Sequence, residues 1–89
     1  MSELGKTLQV VQLLNGADLS AVELCQALGV SVATLKRYVA DARHMGARIE
    51  SYGGGRNPWF YRLNNWDQIA ARVVVWARLE AERDLRLPI

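Results

Sequence analysis

The feature that most constrains the fold is a single glycine, Gly29, between two segments that each have the apolar spacing of a short helix. Leu24 and Leu28 lie four residues apart before the glycine, and Leu35 and Tyr38 lie three residues apart after it. Residues three and four apart share one side of a helix, and glycine accepts the left-handed conformation at which helices end. The segment therefore predicts two helices that cross steeply through a very tight turn.

The side chains around that turn suit such a crossing. Cys25 is small enough for a close approach of the two helices, and Val30, directly after Gly29, is apolar and predicted to point into the core. The first helix is predicted to begin at Ser20, since a Glu three residues later completes a capping box. Ser31 is the predicted cap of the second helix. Together these positions predict a helix-turn-helix.

The following segment predicts a β-hairpin. Residues 48–52 alternate in polarity, and residues 59–63 are rich in the aromatic side chains that strands favour. Residues 53–58 hold three glycines and a proline, which neither a helix nor a central strand would accept. The alternation leaves two choices for the aromatic side chains that enter the core: Trp59 with Tyr61, or Phe60.

Helical spacing of apolar residues also predicts one helix over 4–15 and a longer one over 66–85. The predicted fold class is mainly α (α+β). It is a winged helix-turn-helix of three helices, a two-stranded hairpin as the wing and a C-terminal helix. We expect residues 1–64 to form the winged domain and residues 65–89 to form the last helix of the same compact unit.

Positive charge is concentrated in the middle of the chain. Residues 31–62 carry a net charge of +4, whereas residues 1–30 carry −2 and residues 63–89 are neutral. The whole chain carries only +2, but a local excess of this size can neutralise phosphates. The same charges would also suit an ordinary solvated surface, so the distribution favours DNA only in combination with the motif.

If residues 31–45 lie in a major groove, the start and outward side of that helix contact base edges or phosphates. The alternatives are a capping role alone for Ser31, a partly buried Val32 and a solvated loop for the wing 53–58. The wing would contact the backbone or the minor groove. The predicted DNA-binding residues are Ser31, Val32, Ala33, Thr34, Lys36 and Arg37 in the helix and Arg56 and Asn57 in the wing.

Other classes of function find little support. The lone cysteine, Cys25, cannot form an internal disulfide, and with the lone histidine, His44, it cannot build a structural zinc site. We see no acid/base pair, activated nucleophile or phosphate-binding loop, so neither an enzyme nor a cofactor is predicted. The start of the chain lacks the pattern of a signal peptide, and no apolar run is long enough for a membrane span. A cytoplasmic protein is expected.

The stretch 29–38 resembles the helix-turn-helix of DeoR-type regulators, with the sequence Gly-Val-Ser-Val-Ala-Thr-Leu-Lys-Arg-Tyr. The continuation through 44–51, then Gly54-Gly55 and the strand 60–63, is similar to the N-terminal domain of the biotin repressor group. The resemblance covers about residues 6–63 and implies a winged helix whose recognition helix is 31–38. Those families continue with glycine where this chain has Asn-Pro-Trp. We expect no effector or enzyme domain after the wing, and we therefore predict no small-molecule ligand.

The last helix carries more apolar residues than one chain needs to cover its core. One of two asparagines, Asn64 or Asn65, is predicted to cap it. Dimeric helix-turn-helix proteins bind two half-sites about one helical turn apart, so we predict a homodimer through this helix. The alternative is a monomer whose last helix covers only its own core. The predicted interface residues are Trp66, Ile69, Val73 and Trp76.

The sequence thus predicts a sequence-specific transcriptional regulator of double-stranded DNA, most simply a repressor. Two alternatives remain open. A replication, partition or architectural factor would present the same DNA-binding surface. A winged-helix adaptor would bind protein instead, although Lys36 and Arg37 against the single acid Asp41 favour DNA over that partner.

Overall fold

The structure is a computed structural model that describes residues 3–54 and 59–85. The predicted wing residues Arg56 and Asn57 lie outside the described residues. The described part has the mainly helical α+β architecture of a winged helix. Its elements, in chain order, are α1 (Glu3–Leu13), β1 (Leu19–Ser20), α2 (Ala21–Leu28), α3 (Val32–His44), β2 (Ile49–Gly53), β3 (Trp59–Leu63) and α4 (Trp66–Leu85).

Helix α1 lies at the centre of the core and packs against α2, α3 and α4. Its neighbouring residues Val10 and Val11 are both almost fully buried. Successive side chains on a helix point about 100° apart, so two adjacent buried residues require cover from two sides. That cover comes from α4 as well as from α3, which is why the C-terminal helix is an integral part of the fold.

The sheet has three antiparallel strands in the order β1-β3-β2. Tyr61 in the central strand β3 is paired with Leu19 of β1 and with Ser51 of β2. Strand β1 adds to the two predicted strands. It contains only two residues, which is too short for any periodicity, and only its pairing with β3 defines it. This pairing attaches the start of α2 to the base of the wing.

The two sides of the sheet differ as strand alternation requires. Ile49 and Tyr61 are each 4% exposed and belong to the core, and Trp59 packs partly buried against it. Phe60 lies on the opposite side, stacked on Tyr52 with the ring centroids 5.6 Å apart. Of the two predicted registers, the one with Trp59 and Tyr61 inside is therefore confirmed.

The start of α4 is attached to the connection between α3 and β2. The Asn65 side chain accepts a hydrogen bond from the backbone N–H of Arg48 and donates one to the carbonyl of Gly46, both at 2.8 Å. The sequence predicted that this side chain or that of Asn64 would cap α4. The Asn65 amide instead joins the start of α4 to the α3–β2 connection. Gly46 has a φ of 107°, and a Cβ there would lie 2.8 Å from the Arg72 guanidinium. The Asn65 side chain thus holds the α3–β2 connection against the start of α4.

Among the described residues, no helix combines the length and apolar content that crossing a membrane requires.

Candidate nucleic-acid interface

The turn between α2 and α3 has the predicted tight geometry. Gly29 has φ 68° and ψ 38°, the left-handed conformation that glycine adopts without strain. The backbone N–H groups of Gly29 and Val30 both donate to the carbonyl of Cys25, at 2.8 and 3.1 Å. The Lys6 ammonium donates to the carbonyl of Leu28 at 2.8 Å. Carbonyl groups at the end of α2 therefore accept hydrogen bonds both from the turn itself and from Lys6 of α1. These bonds fix the direction in which α3 starts.

Both helices begin at the predicted caps. The Ser20 hydroxyl accepts from the backbone N–H of Glu23, and the Glu23 carboxylate accepts from the backbone N–H of Ser20, each at 3.1 Å. The Ser31 hydroxyl accepts from the backbone N–H of Thr34 at 3.3 Å and donates to its hydroxyl at 3.1 Å. Ser31 is therefore an N-cap of α3 with an exposed side chain.

The side of α3 opposite the core carries four exposed residues that are four, three and four positions apart: Ala33, Arg37, Ala40 and His44. This row is the middle of the exposed surface, because the buried residues Leu35, Tyr38, Val39 and Ala42 occupy the reverse side. Arg37 lies between two alanines, and its guanidinium is 5.5 Å from the Tyr38 ring. Ala40 and His44 were not predicted as site residues, although the spacing of the buried residues places them in this row.

A second exposed side of α3 turns towards the sheet. The Lys36 ammonium lies 5.3 Å from the centroid of the Trp59 ring. The Arg43 Nε donates to the carbonyl of Ile49 at 2.9 Å. Between these cations and strands β2 and β3 lies an open groove of about 500 Å³, called the α3–β2 groove below. Its lining residues are Lys36, Val39, Arg43, Ser51, Gly53, Gly54, Trp59 and Tyr61.

The outer side of the sheet has a different electrostatic character. The Arg62 guanidinium donates to the Asp18 carboxylate at 2.8 and 3.0 Å, and the Tyr52 hydroxyl donates to the same oxygen at 2.7 Å. The Arg62 and Tyr52 hydrogen bonds hold the pKa of Asp18 below its usual range. Hydrogen bonding to Asp18 likewise raises the pKa of Tyr52 and that of Arg62. Arg62 is thus compensated by an acid, which moves the positive excess of the middle segment towards α3.

Of the predicted DNA-binding residues in α3, most are exposed and one is half-buried. Ala33, Lys36 and Arg37 are exposed, and Thr34 is half-buried. Val32 is 37% exposed and outside the buried core, so its side chain remains available to a ligand. Lys36 and Arg37 differ in their surroundings, because the Lys36 ammonium lies over the Trp59 ring whereas the Arg37 guanidinium lies 5.5 Å from the Tyr38 ring.

The four predicted dimer residues face the core of their own chain. Ile69 and Val73 are 2% and 3% exposed, and Trp66 and Trp76 pack partly buried against the same core. This placement corrects the choice of interface residues, since a second copy cannot reach Ile69 or Val73. The opposite side of α4 carries the exposed apolar side chains Val74, Val75 and Leu79.

Titratable groups do not gather into a metal site in the described ranges: no group of three or more His, Cys, Asp or Glu side chains could hold a metal ion there.

Comparison with known proteins agrees with this geometry. Residues 6–55, more than half of the chain, match a family model described as an HTH domain. The match includes α2, the Gly29 turn and α3, and it ends before β3 and α4. No curated protein and no solved structure matches the chain.

Proposed function

The chain belongs to the HTH domain family, and we propose that it is a transcriptional regulator that recognises a specific sequence in double-stranded DNA. In this proposal α3 enters the major groove, which is wide enough for a helix. The observation that carries the proposal is the exposed row on α3, with Arg37 between Ala33 and Ala40. DNA binding is the general property of the helix-turn-helix.

Arg37 is the residue proposed to contact bases. Arginine donates two parallel hydrogen bonds to the O6 and N7 atoms of guanine, worth about 1–3 kcal/mol of discrimination. The small side chains of Ala33 and Ala40 allow the backbone of α3 to come close to the base edges. Their methyl groups suit the methyl group of thymine. A guanine flanked by thymines is therefore the pattern that this row fits best.

The ends of the surface are proposed to contact the DNA backbone. The first turn of α3, which begins at Ser31 and Val32, presents backbone N–H groups at a helix N-terminus, where anions bind favourably, and the Ser31 and Thr34 hydroxyls lie beside them. At the wing, Arg56 and Asn57 suit a phosphate or the minor groove. Such contacts set the position of α3 on the duplex without selecting its sequence.

Selection of bound sequences from a random duplex library, followed by affinity measurements, tests the proposal. We expect the wild type to enrich one sequence and to bind it at least a thousandfold more tightly than a random duplex. The Arg37→Ala variant should lose preference at one or two positions. The matched control is Arg62→Ala, which removes the same charge from the outer side of the sheet. No binding to any duplex at low salt would overturn the regulator and favour the protein adaptor.

We further propose a homodimer, formed through the exposed side of α4. Val74, Val75 and Leu79 are 52–58% exposed and lie opposite the buried side of this helix. In a two-fold dimer the same patch meets itself. Arg78 and Glu82, one helical turn apart on this side, provide opposite charges for such a self-complementary contact. The proposed occupant is therefore a second copy of this chain.

Sedimentation analysis of two matched variants tests the dimer. Val75→Glu introduces a charge into the proposed interface and should yield a monomer. Val22→Glu makes the same change on α2, where Val22 is 52% exposed, and should leave the dimer intact. A wild type that sediments as a monomer at all accessible concentrations would refute the dimer but not the DNA binding.

Repression is the regulatory outcome that we propose, because occupation of a promoter suffices for it, whereas activation needs an additional surface that recruits the polymerase. A reporter with the selected site across its promoter should be silenced by the wild type and not by Arg37→Ala. Binding without sequence preference would instead favour an architectural factor. Specific binding with no effect on transcription would favour a replication or partition factor.

A further inference from the structure

We propose that the α3–β2 groove binds the phosphodiester backbone of the duplex whose bases α3 contacts, and that Lys36 and Arg43 hold its phosphates. The inference rests on the proposed function and deepens it. It assigns a phosphate contact to Lys36, for which the sequence left both base edges and phosphates open. It also adds Arg43, which the sequence did not single out.

The backbone N–H and C=O groups of β2 alternate in direction along the strand. The N–H of Asn64 donates to the carbonyl of Arg48 at 2.9 Å, so these two residues form a hydrogen-bonded pair. Antiparallel pairs alternate between hydrogen-bonded and non-hydrogen-bonded. From the register, the N–H and C=O groups of Ile49, Ser51 and Gly53 therefore point away from β3.

The bond from Arg43 to the Ile49 carbonyl supports this assignment, because it reaches that carbonyl on the outer edge of β2. Ser51 and Gly53 follow at the next two outward positions, and both line the groove. Their backbone N–H groups, with the Ser51 hydroxyl, are the kind of donor that binds phosphate oxygens in protein–DNA complexes. The edge of β2 therefore presents a row of donors next to the cations of α3.

Two cations of α3 line the groove. Lys36 and Arg43 are seven residues apart on α3, about 10 Å along the helix axis, so they can engage separate phosphates. The Arg43 side chain is held at Nε by Ile49, which orients its two terminal nitrogens and reduces the entropy lost on binding. Lys36 is a mobile point charge over the face of Trp59. An exposed contact of that kind is weak, so a phosphate can replace it.

The charged side chains among the described lining residues are all positive. No acidic residue is among the described residues that line the groove, and its floor includes the apolar side chains Val39, Trp59 and Tyr61. Glu50, the acid of β2, alternates to the outer side of the sheet with Tyr52. A groove with two cations, backbone donors and no described acid complements a polyanion. An extended acidic peptide along β2 is the competing occupant.

Salt dependence distinguishes these roles, because each phosphate contact contributes about 0.9 to the slope of log affinity against log salt. We would measure binding to the selected site and to a random duplex over a range of salt. Lys36→Gln and Arg43→Gln should each reduce the slope by about one and weaken both duplexes by the same factor. Their preferred sequence should be unchanged, and Lys36→Arg should restore the slope. The control Arg62→Gln should leave the slope as in the wild type.

Two outcomes for Lys36→Gln would overturn the phosphate assignment. A changed preferred sequence would mean that Lys36 contacts a base. An unchanged slope would favour a peptide as the ligand of the groove. Thermal unfolding of each variant shows whether Arg43→Gln has lost structure along with its bond to Ile49. In that case the result from Lys36→Gln and its rescue by Lys36→Arg decides. If the wild type binds neither duplex, the proposed function itself fails, which is a different outcome.

Discussion

The two sides of the sheet carry similar cation–aromatic pairs in opposite electrostatic settings. On the inner side the Lys36 ammonium lies 5.3 Å from the Trp59 ring, and on the outer side the Arg62 guanidinium lies 5.1 Å from the Tyr52 ring. Only the outer pair includes an acid, since Asp18 lies 2.8 Å from Arg62. Both cations belong to the same basic stretch of sequence. The comparison shows that a count of basic residues overstates the charge available to DNA, because a carboxylate from a distant segment already compensates one of them.

The largest expected effect comes from making the inner side resemble the outer side. Ser51→Asp places a carboxylate in the α3–β2 groove beside Lys36 and Arg43. If two phosphate contacts are lost, the fall in affinity between 50 and 200 mM salt should be about tenfold smaller than for the wild type. Affinity at the lower salt concentration should fall by more than tenfold, measured by fluorescence anisotropy.

Ser51→Asn is the matched control, because asparagine has nearly the same shape as aspartate but no charge. Position 51 is exposed, so it accommodates either side chain. It should bind DNA with close to the wild-type salt dependence. Equal affinities for the two variants would mean that the groove does not contact DNA, and the distinction between the two sides of the sheet would have no functional meaning.

A second effect concerns the connection between α3 and β2, two of the elements that border the groove. Asn65 is 8% exposed and bonds to the backbone of Gly46 and Arg48. Asn65→Ala leaves these backbone groups unsatisfied, which should lower the free energy of unfolding by about 1–3 kcal/mol. Denaturant unfolding measures this loss. DNA affinity should fall with it, because the positions of α3 and β2 relative to each other depend on this amide.

The exposed neighbour Asn64 supplies the control, and Asn64→Ala should leave both stability and DNA binding nearly unchanged. A stable Asn65→Ala variant would show that the packing of α4 alone positions the groove. The outer cluster of Asp18, Tyr52 and Arg62 does not contact this amide, so it should be unaffected in either variant.

The parts of this fold that the sequence predicts are those with local signals. The capping box at Ser20, the left-handed Gly29 and the cap at Ser31 each depend on residues at most three or four positions apart. The same holds for the alternation that places Tyr61 in the core. Because such signals need no knowledge of the rest of the chain, the two helices, their turn and the hairpin are predictable.

The remaining features depend on partners distant in the sequence. Strand β1 exists only through its pairing with β3, and Asp18 meets Arg62 across 44 positions. The apolar stripe of α4 shows that something covers Ile69 and Val73, but periodicity does not distinguish the core of the same chain from a second copy. The lean of Lys36 towards Trp59 is likewise a tertiary contact, and no local pattern indicates it.

The smallest expected effect tests the outer side alone, through Asp18→Asn. The hydrogen bonds from Arg62 and Tyr52 hold the pKa of Asp18 below its usual range, so its ionised form is stabilised by folding. A carboxyl group with a lowered pKa adds stability above its usual pKa, and this contribution is lost as the pH falls through its lower value in the folded state. The wild type should therefore be slightly more stable than Asp18→Asn at neutral pH. The difference should begin to shrink below about pH 4, the usual pKa of the carboxyl group, and should vanish once the pH is below the lowered pKa of the folded state.

Thermal unfolding of both proteins between pH 7 and pH 2.5 measures this convergence. The ion pair is at the surface, so the difference should be small and should shrink in high salt. DNA binding of Asp18→Asn tests whether the charge of the outer side contributes to binding, since the charge of Arg62 is then no longer compensated. Its affinity for a random duplex should rise slightly at low salt, whereas the preferred sequence should stay the same. A large gain in affinity would mean that the outer side also lies close to the duplex, and that Asp18 limits DNA binding as well as stabilising the sheet.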